Sequence, residues 1–455
     1  MNYLIETSQW LKDPLAIFTG NPLDARGGVV IKGTEIIEVV AAGAKPTSDI
    51  DSIIDVRNHV ITPGLINCHH HFYQTLTRCL PQAINKPLFP WLKTLYRVWQ
   101  NITPEMLAAA SQLAALELML SGATTLGDHH YVFSSQLKNA IDVQAAALKS
   151  LGARLQLTRG SMSLGESQGG LPPDAVVQNE QEILDDCQRV IAEYHQSGAD
   201  AMCQIALAPC SPFSVSQQLM IETARLAHSH NVLLHTHLAE TLDENNFCLD
   251  HYQSRPLDYL QECNWLHERT WLAHGIHFTE EEIGRLGAAK MGIAHCPSSN
   301  MLLASGICPT LELEAAGCRL GLAVDGSASN DCSNMIQEVR QSLLQQRLRY
   351  GAEQITAEKV LGWATVGGAA LYHRQDIGEI APGKQADLAL FKLDEPRFSG
   401  IGDPIAALVT CGAHQVDKLM VGGQWLVEDG QHRFIDKHRL MEMHQTMAKK
   451  LQSCV

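Results

Sequence analysis

The sequence has few basic residues: its 34 Lys and Arg stand against 49 Asp and Glu, which gives a formal net charge of -15. Proteins that bind a nucleic-acid backbone need a basic surface, so this balance argues against a nucleic-acid polymer as a partner. No apolar run approaches the roughly 20 residues that span a bilayer, and no basic and apolar secretion signal stands at the start. We therefore expect a soluble, cytoplasmic protein without a membrane partner, and any nucleotide-like substrate to be small and uncharged.

Cysteine pairs are missing as well. The 13 cysteines include no Cys-x-x-Cys spacing, and their number is odd. Both features argue against a disulfide framework and favour reduced thiols packed in the core. Cys68, Cys210 and Cys296 lie beside the motifs described below, where the sequence is equally compatible with packing residues and with residues that line a pocket.

Strand and helix patterns alternate through residues 61–374. Short apolar runs favour β-strands and are separated by helical stretches, such as the one that Thr103 and Pro104 begin and Gly122 ends. Continuous apolar strands between helices indicate a parallel sheet, and eight of them close a barrel. The eight runs are residues 65–67, 123–128, 154–157, 204–207, 232–235, 271–274, 292–296 and 321–325. We predict an α/β fold whose main domain is a (β/α)8 TIM-like barrel.

The two ends of the chain favour short strands instead. Residues 1–60 contain a hairpin pattern around Gly33, and residues 375–435 contain another at Gly422 and Gly423. We predict that both segments join in one small discontinuous β-sandwich domain, and that residues 436–455 form a C-terminal helix. Residues 160–173 are rich in Gly, Ser and Pro, and we interpret them as an active-site loop rather than a disordered segment.

Histidine and acidic residues stand at the carboxyl ends of the predicted strands. Residues that alternate along a strand share a face, so His69 and His71 can bind one metal ion. In a closed parallel barrel all carboxyl ends meet on one face. A single such residue is more often a hydrogen-bonded core residue, but five on one rim favour a metal site. The five are His69, His71, His237, His274 and Asp325.

Three imidazoles and one carboxylate leave a divalent metal room for a water molecule, whose pKa falls from roughly 15.7 to about 7. Asp325 can accept the proton of that water while it contacts the metal. Glu240 follows His237 closely and can pass the proton to a leaving group, and His274 can orient the hydroxide or polarise the attacked bond. The fourth strand, residues 203–209, lacks a lysine of the kind that bridges two metals in other barrel hydrolases. We therefore expect one metal ion per subunit.

Other histidines near these motifs are expected to pack or to support the ligands. His70 lies between two predicted ligands and points to the opposite face of its strand, and we expect His235 to point away from the ligand that follows it. His295 follows a buried strand. His129 and His130 end the second strand and can reach the pocket, but we do not expect them to bind the metal.

These motifs, in this order and over nearly the whole chain, resemble the amidohydrolase superfamily and its branch of triazine hydrolases and nucleobase deaminases. Within the branch the sequence most resembles the 8-oxoguanine deaminases, through residues 69–78, 87–93, 158–165 and 325–331. The resemblance implies hydrolytic removal of the 2-amino group of a purine, which gives urate and ammonia from 8-oxoguanine. It also implies a metal, usually zinc, bound by His69, His71, His237 and Asp325, with Glu240 and His274 as catalytic partners.

The resemblance also suggests substrate contacts. In guanine deaminases a glutamine at the position of Gln74 contacts the purine. A carboxamide can both donate and accept hydrogen bonds, which suits the edge of guanine that carries N3 and the amino group. Trp91 can wall the ring or pack between barrel and loop. Guanine deaminases also carry an arginine after the fourth strand, and residues 208–213 contain none. This departure argues against guanine as the main substrate.

The sequence leaves alternatives open. The nearest is a triazine hydrolase that expels chloride or an alkylamine, because residues 325–331 resemble those enzymes too. Isocytosine and guanine are further candidate substrates, and a non-catalytic barrel would be expected to have lost a ligand, which this chain has not. Iron and manganese suit the same ligands as zinc. Related barrel enzymes are often dimers or larger, so a homo-oligomer is compatible with the resemblance.

Overall fold

The computed structural model describes residues 7–454. The first strands belong to two small sheets that the end of the chain completes: β1 (Ser8–Lys12), β2 (Ala16–Ile17), β3 (Gly28–Lys32), β4 (Glu35–Val40), β5 (Ser52–Asp55) and β6 (His59–Pro63). β3 and β4 form the hairpin expected around Gly33, whose φ of +59° suits a tight turn.

A closed parallel sheet of eight strands forms the centre of the molecule, and its strands follow chain order. They are β7 (Leu65–Asn67), β8 (Ala123–His130), β9 (Arg154–Ser161), β10 (Cys203–Pro209), β11 (Leu233–Leu238), β12 (Thr270–His274), β13 (Gly292–His295) and β14 (Arg319–Leu322). The backbone N–H of Cys68, just after β7, donates to the carbonyl of Leu322 at 3.1 Å and closes the ring. The predicted (β/α)8 TIM-like barrel is confirmed.

The eighth strand is shorter than the sequence indicated. β14 ends at Leu322, three residues before Asp325, whose own backbone lies in the left-handed region with φ of +62°. His274, the last residue of β12, has φ of +73°. This region is unfavourable for residues other than glycine, and such strain often lies at functional sites. Both residues were predicted at the strand-end site.

Helices surround the barrel: α1 (Leu88–Trp99), α2 (Pro104–Leu120), α3 (Ala140–Leu148), α4 (Glu180–Tyr194), α5 (Gln217–His230), α6 (Leu242–Tyr252), α7 (Pro256–Glu262), α8 (Glu280–Ala288), α9 (Pro297–Leu302), α10 (Thr310–Ala316), α11 (Met335–Tyr350), α12 (Ala357–Gly362), α13 (Gly368–Leu371), α14 (Pro404–Thr410) and α15 (Lys437–Gln452). Thr103 caps α2 by accepting a hydrogen bond from the backbone of Met106, and the chain leaves the helix at Gly122 with φ of +104°. Within residues 7–454, no helix combines the length and apolar character needed to cross a bilayer.

Four late strands complete the small sheets: β15 (Leu388–Lys392), β16 (Lys418–Val421), β17 (Gln424–Glu428) and β18 (Gln431–His432). One sheet has the order β4-β3-β1-β5 and the other β18-β17-β16-β15-β6-β2, and Leu11 of the first shares a buried core with Leu388 of the second. Both termini therefore build the sandwich. A nearly fully buried ion pair ties it to the barrel, with Nε of Arg154 2.7 Å from Oδ2 of Asp387.

The C-terminal helix supports a turn next to the strand-end site. A 3-10 turn, Phe72–Thr77, follows β7 and carries Gln74. Nε2 of His444 on α15 lies 3.0 Å from Oγ1 of Thr75, and Nε2 of Gln452 donates to the carbonyl of Leu76 at 2.7 Å. α15 therefore packs directly behind the segment that presents Gln74.

Candidate active site

Three imidazoles and one carboxylate converge at the carboxyl end of the barrel. Nε2 of His71 lies 3.2 Å from Nε2 of His237. Oδ1 of Asp325 lies 3.3 Å from Nε2 of both His69 and His71. A metal held tetrahedrally by nitrogen and oxygen at about 2.0–2.1 Å separates its ligand atoms by about 3.3 Å. The spacing fits such an ion, and all four side chains are buried.

The chemistry of these four groups also fits a cation. Nε2 of His69 is buried without a hydrogen bond. Burial holds the pKa of His69 well below its ordinary value and lowers that of His237 to about 3, so both rings are neutral and keep a lone pair. Burial opposes ionisation of Asp325, but the neighbouring imidazoles, His69 above all, hold its pKa well below the usual range. Neutral imidazole and ionised carboxylate are the forms that bind metals.

The second nitrogen of each imidazole is engaged elsewhere. Nδ1 of His71 lies 2.7 Å from the carbonyl of His129, and Nδ1 of His237 lies 2.7 Å from the carbonyl of Cys210. A carbonyl only accepts, so both Nδ1 atoms carry the proton and both Nε2 atoms are free to face the centre. Nδ1 of His69 instead meets Nε2 of His235 at 2.7 Å. The expectation that His235 points away is wrong, because residues two apart on a strand share a face.

The remaining histidines have other partners. His129 lies inside the cluster, with its ring stacked on His237 at 4.9 Å and its Nε2 2.9 Å from the carbonyl of Ala208. One nitrogen of His129 lies within 4.8 Å of a nitrogen of each of the three candidate imidazole ligands. Three more make hydrogen bonds outside the cluster, as expected of packing residues: His70 to Ser333, His130 to Val132 and His295 to Gln346.

Glu240 and His274 lie beside the same centre. Oε2 of Glu240 is 3.4 Å from Nε2 of His274, which is 4.0 Å from Oδ2 of Asp325. Burial raises the pKa of Glu240 to about 7. Burial alone would lower the pKa of His274, but the two carboxylates raise it. Nδ1 of His274 lies 2.9 Å from Oδ1 of Asn300, which fixes the ring. The arrangement can hold and move protons at neutral pH.

Supporting residues that the sequence did not single out hold these groups in place. Glu244 accepts from the backbone N–H of Ala239 at 2.8 Å and of Glu240 at 3.2 Å, which fixes the turn that presents Glu240. Oδ2 of Asp325 accepts from Ser299 at 2.6 Å and from Ser329 at 3.2 Å. Glu244 lies in the first turn of α6, where acidic side chains commonly accept backbone N–H groups, so a local signal was available.

Gln74 and Trp91 line a cavity of about 30 Å³ above the centre. Oε1 of Gln74 accepts from the backbone N–H of Ala328 at 3.2 Å, and Nε1 of Trp91 donates to the carbonyl of the same residue at 3.2 Å. Tyr131 and Cys210 also line the cavity and were not predicted as substrate contacts.

Residues 160–173 lie behind this cavity rather than in its wall. No residue of this segment, which the structure describes completely, lines the cavity. The backbone N–H groups of Ser163 and Leu164 donate to the carbonyl of Ser214 at 3.0 Å, and that of Leu171 donates to the carbonyl of Phe213 at 3.0 Å. Phe213 does line the cavity, so the segment supports the wall through its backbone.

A closed parallel barrel that gathers buried imidazoles and carboxylates at its carboxyl end has the architecture of a barrel hydrolase with a divalent-metal centre. Residues 60–426 match the sequence model of the Amidohydrolase family. The chain belongs to the amidohydrolase family.

Individual relatives span nearly the whole chain. It is 60% identical to an 8-oxoguanine deaminase of Pseudomonas aeruginosa over 442 residues, which are 97% of this chain and 98% of that protein. It is 32% identical to the hydroxydechloroatrazine ethylaminohydrolase of Pseudomonas sp. (strain ADP), over 85% of this chain and 82% of that protein. Among solved structures, an atrazine chlorohydrolase of Arthrobacter aurescens TC1 complexed with zinc matches with a TM-score of 0.90 at 29% identity, over 97% of this chain and 100% of that chain.

Proposed function

We propose that the protein is an aminohydrolase that converts 8-oxoguanine and water into urate and ammonia. The observation that carries this proposal is the 60% identity to an 8-oxoguanine deaminase over 97% of the chain. The cavity supports it, because proton-transfer groups, candidate metal ligands and groups suited to a planar heterocycle all line one buried space.

The metal in this proposal is one zinc ion, held by His69, His71, His237 and Asp325. Three observations support it: the distances of 3.2 and 3.3 Å that join the four ligand atoms in a chain from His237 through His71 and Asp325 to His69, the buried and unbonded Nε2 of His69, and the zinc in a related solved structure. When bound, the ion supplies Lewis-acid activation of water at neutral pH. β10 contains no lysine to bridge a second ion, which favours a single metal.

The chain's own residues carry the protons. Asp325, oriented by two serine hydroxyls, accepts a proton from the attacking water. Glu240, whose pKa of about 7 lets it hold a proton at neutral pH, donates that proton to the ring nitrogen beside C2. Asp325 passes the water proton to the departing amino group, and Glu240 regains a proton from the new hydroxyl group as the C2 carbonyl forms. The C2–O bond forms, the C2–N bond breaks, and the amino group leaves as ammonia. His274, fixed by Asn300, orients the water and faces Glu240.

Four cavity residues are proposed to contact the base. Oε1 of Gln74 is engaged with the backbone, so its Nε2 protons are the groups left to donate to the base. Trp91 is anchored through its N–H, which leaves its ring as a wall. Burial raises the pKa of Cys210 to about 12 and that of Tyr131 well above its usual value. The thiol and the phenol therefore keep their protons and can donate to carbonyl oxygens of an oxidised purine.

Substrate turnover tests the proposal directly. The purified protein, loaded with zinc, is incubated with 8-oxoguanine, guanine and isocytosine, and ammonia and the ring products are measured separately. We expect 8-oxoguanine to give urate with a kcat/KM at least tenfold above that for guanine. No turnover of any purine would refute the proposal.

A triazine hydrolase is the second candidate, favoured by the TM-score of 0.90 to an atrazine chlorohydrolase. The same assay with chloro- and hydroxytriazines, read as chloride or alkylamine release, separates the two functions. A non-catalytic barrel is tested by metal analysis after gentle purification: we expect close to one equivalent of zinc, and less than about half an equivalent would favour a barrel that has lost the chemistry.

A further inference from the structure

One of the three candidate imidazole ligands is held differently from the others. His71 and His237 each direct Nδ1 at a main-chain carbonyl, which no substitution at the accepting residue removes. Nδ1 of His69 meets a side chain instead, Nε2 of His235, at 2.7 Å. The orientation of His69 therefore depends on the identity of a second residue.

The hydrogen-bond directions around His235 follow from its other nitrogen. Nδ1 of His235 lies 2.9 Å from the carbonyl of Trp271. A carbonyl only accepts, so this Nδ1 carries a proton, and a neutral His235 then keeps a lone pair on Nε2. That lone pair accepts the Nδ1 proton of His69. His69 is left with its own lone pair on Nε2, the atom that faces Asp325 at 3.3 Å.

Trp271 holds His235 and the backbone of the ligand at the same time. Its ring stacks on the imidazole of His235 with centroids 4.2 Å apart and planes 13° from parallel. Its Nε1 donates to the carbonyl of Cys68 at 3.2 Å, and Cys68 directly precedes His69. His235 and Trp271 are each only 1% exposed, so water does not compete for these hydrogen bonds.

We propose that His235, seated on Trp271, is a positioning residue of the metal centre: it accepts the Nδ1 proton of His69, fixes the tautomer of that ligand and thereby strengthens metal binding. This inference rests on the proposed zinc site. Outer hydrogen-bond partners of metal-binding histidines typically contribute 10–100-fold to metal affinity. The Glu240 and His274 side chains are not part of this contact, so the effect falls on binding of the ion rather than on proton transfer.

Zinc binding to the metal-free, full-length chain tests the proposal without any measurement of turnover. A chromophoric chelator competes for Zn²⁺ with the wild-type chain and with two variants. His235→Gln keeps one acceptor and one donor, while His235→Phe keeps a ring that stacks on Trp271 but has neither group. We expect zinc affinity to fall 10–100-fold in His235→Phe and to stay within about threefold of wild type in His235→Gln.

His130→Phe is the matched control, because His130 is a buried imidazole bonded to the carbonyl of Val132 and makes no hydrogen bond to a candidate ligand. Its zinc affinity should match wild type. Equal affinities of His235→Phe and His130→Phe would overturn the inference. If His235→Phe does not fold, His235→Asn replaces it: this side chain is too short to span both partners, so we expect about tenfold weaker binding, and wild-type affinity would overturn the inference. Failure of the wild-type chain to bind zinc would instead refute the proposed site.

Discussion

Oε2 of Glu240 lies 3.4 Å from Nε2 of His274, and neither side chain is more than 6% exposed. A carboxylate this close to an imidazole favours the protonated ring, so Glu240 raises the pKa of His274, which burial alone would lower. The backbone of Glu240 is held by Glu244, and the ring of His274 is held by Asn300. Both groups are therefore held in fixed positions, as the proposed proton transfer requires.

We expect Glu240→Gln to lower kcat for the preferred substrate by about 10²–10⁴-fold, because an amide of the same shape does not transfer the proton. Zinc content should stay near one equivalent, since Glu240 is not among the proposed ligands. Steady-state kinetics and metal analysis of the same sample check both statements. Exposed Glu281 on α8 provides the control, because Glu281→Gln should leave kcat unchanged. Near-normal turnover by Glu240→Gln would remove Glu240 from the mechanism.

Gln74→Glu tests the proposed hydrogen bond from Gln74 to the purine. The new carboxylate still accepts from the backbone of Ala328 but lacks the Nε2 protons that face the cavity. Loss of one donor to a buried acceptor costs about 1–3 kcal/mol, which is about 5–150-fold in kcat/KM for 8-oxoguanine. Gln112→Glu on α2 makes the same chemical change away from the cavity and should be neutral. Equal kcat/KM values for the two variants would show that Gln74 does not contact the substrate.

Gly326→Ala should disturb the proposed contact between Gln74 and the purine by displacing the Gln74 side chain. A Cβ at Gly326 would lie 1.9 Å from Oε1 of Gln74, so the carboxamide has to move. We expect kcat/KM for purines to fall at least tenfold while zinc content is kept. Gly284→Ala on α8 is the control, because a Cβ there meets nothing within 4 Å. A crystal structure of Gly326→Ala with Gln74 in its original place would contradict this explanation.

Removal of the metal should abolish activity and lower the melting temperature. An ion present at a hundred times its Kd stabilises the folded chain by about 2.7 kcal/mol. Dialysis against a chelator, followed by kinetics and calorimetry with and without added Zn²⁺, measures both effects. Addition of Zn²⁺ should restore both, and full turnover by the metal-free chain would contradict the proposed chemistry.

The buried carboxyl group of Glu338 should make the free energy of unfolding depend on pH. Burial raises its pKa from 4.5 to about 7, although Ser298 and Asn330 donate hydrogen bonds to it. Between these values the folded chain binds more protons than the unfolded chain, so the free energy of unfolding falls as the pH rises. We expect wild type to lose about 3 kcal/mol relative to Glu338→Gln between pH 4.5 and pH 8.

Urea unfolding of both chains at the two pH values measures this loss. Glu358→Gln, at an exposed position of α12, should follow wild type at both values. A constant difference between wild type and Glu338→Gln would show that Glu338 ionises normally in the folded chain.

The barrel and the convergence of its strand-end residues could be predicted because both follow from short-range rules. A strand repeats every two residues, so His69 and His71 share a face, and a closed parallel barrel brings all carboxyl ends to one rim. The same rule applied to His235 would have placed it beside His237, and the sequence interpretation missed this. The apolar run extends to residue 325 although the last strand ends at Leu322, and no apolar pattern marks the left-handed backbone of Asp325.

The rest of the site depends on contacts between distant segments. Asn300 reaches His274, and Ser299 reaches Asp325, across 26 positions of the chain in each case. Cys210 lines the cavity because its side of the loop after β10 faces inward. The sequence did not decide whether Cys210 packs in the core or lines a pocket. Local periodicity contains no information on either question, because both are settled only when the strands are assembled side by side.

Cys210 has two separate roles in the folded chain. Its carbonyl holds Nδ1 of His237, while its side chain lines the cavity. A substitution at this position changes the cavity wall and leaves the carbonyl where it is. The same separation holds for His71, whose acceptor is the main chain of His129. Mutation can thus change the side chains that contact a heterocycle and leave the orientation of the His71 and His237 rings unchanged. Such a barrel can therefore evolve towards new substrates without rebuilding its candidate metal ligands.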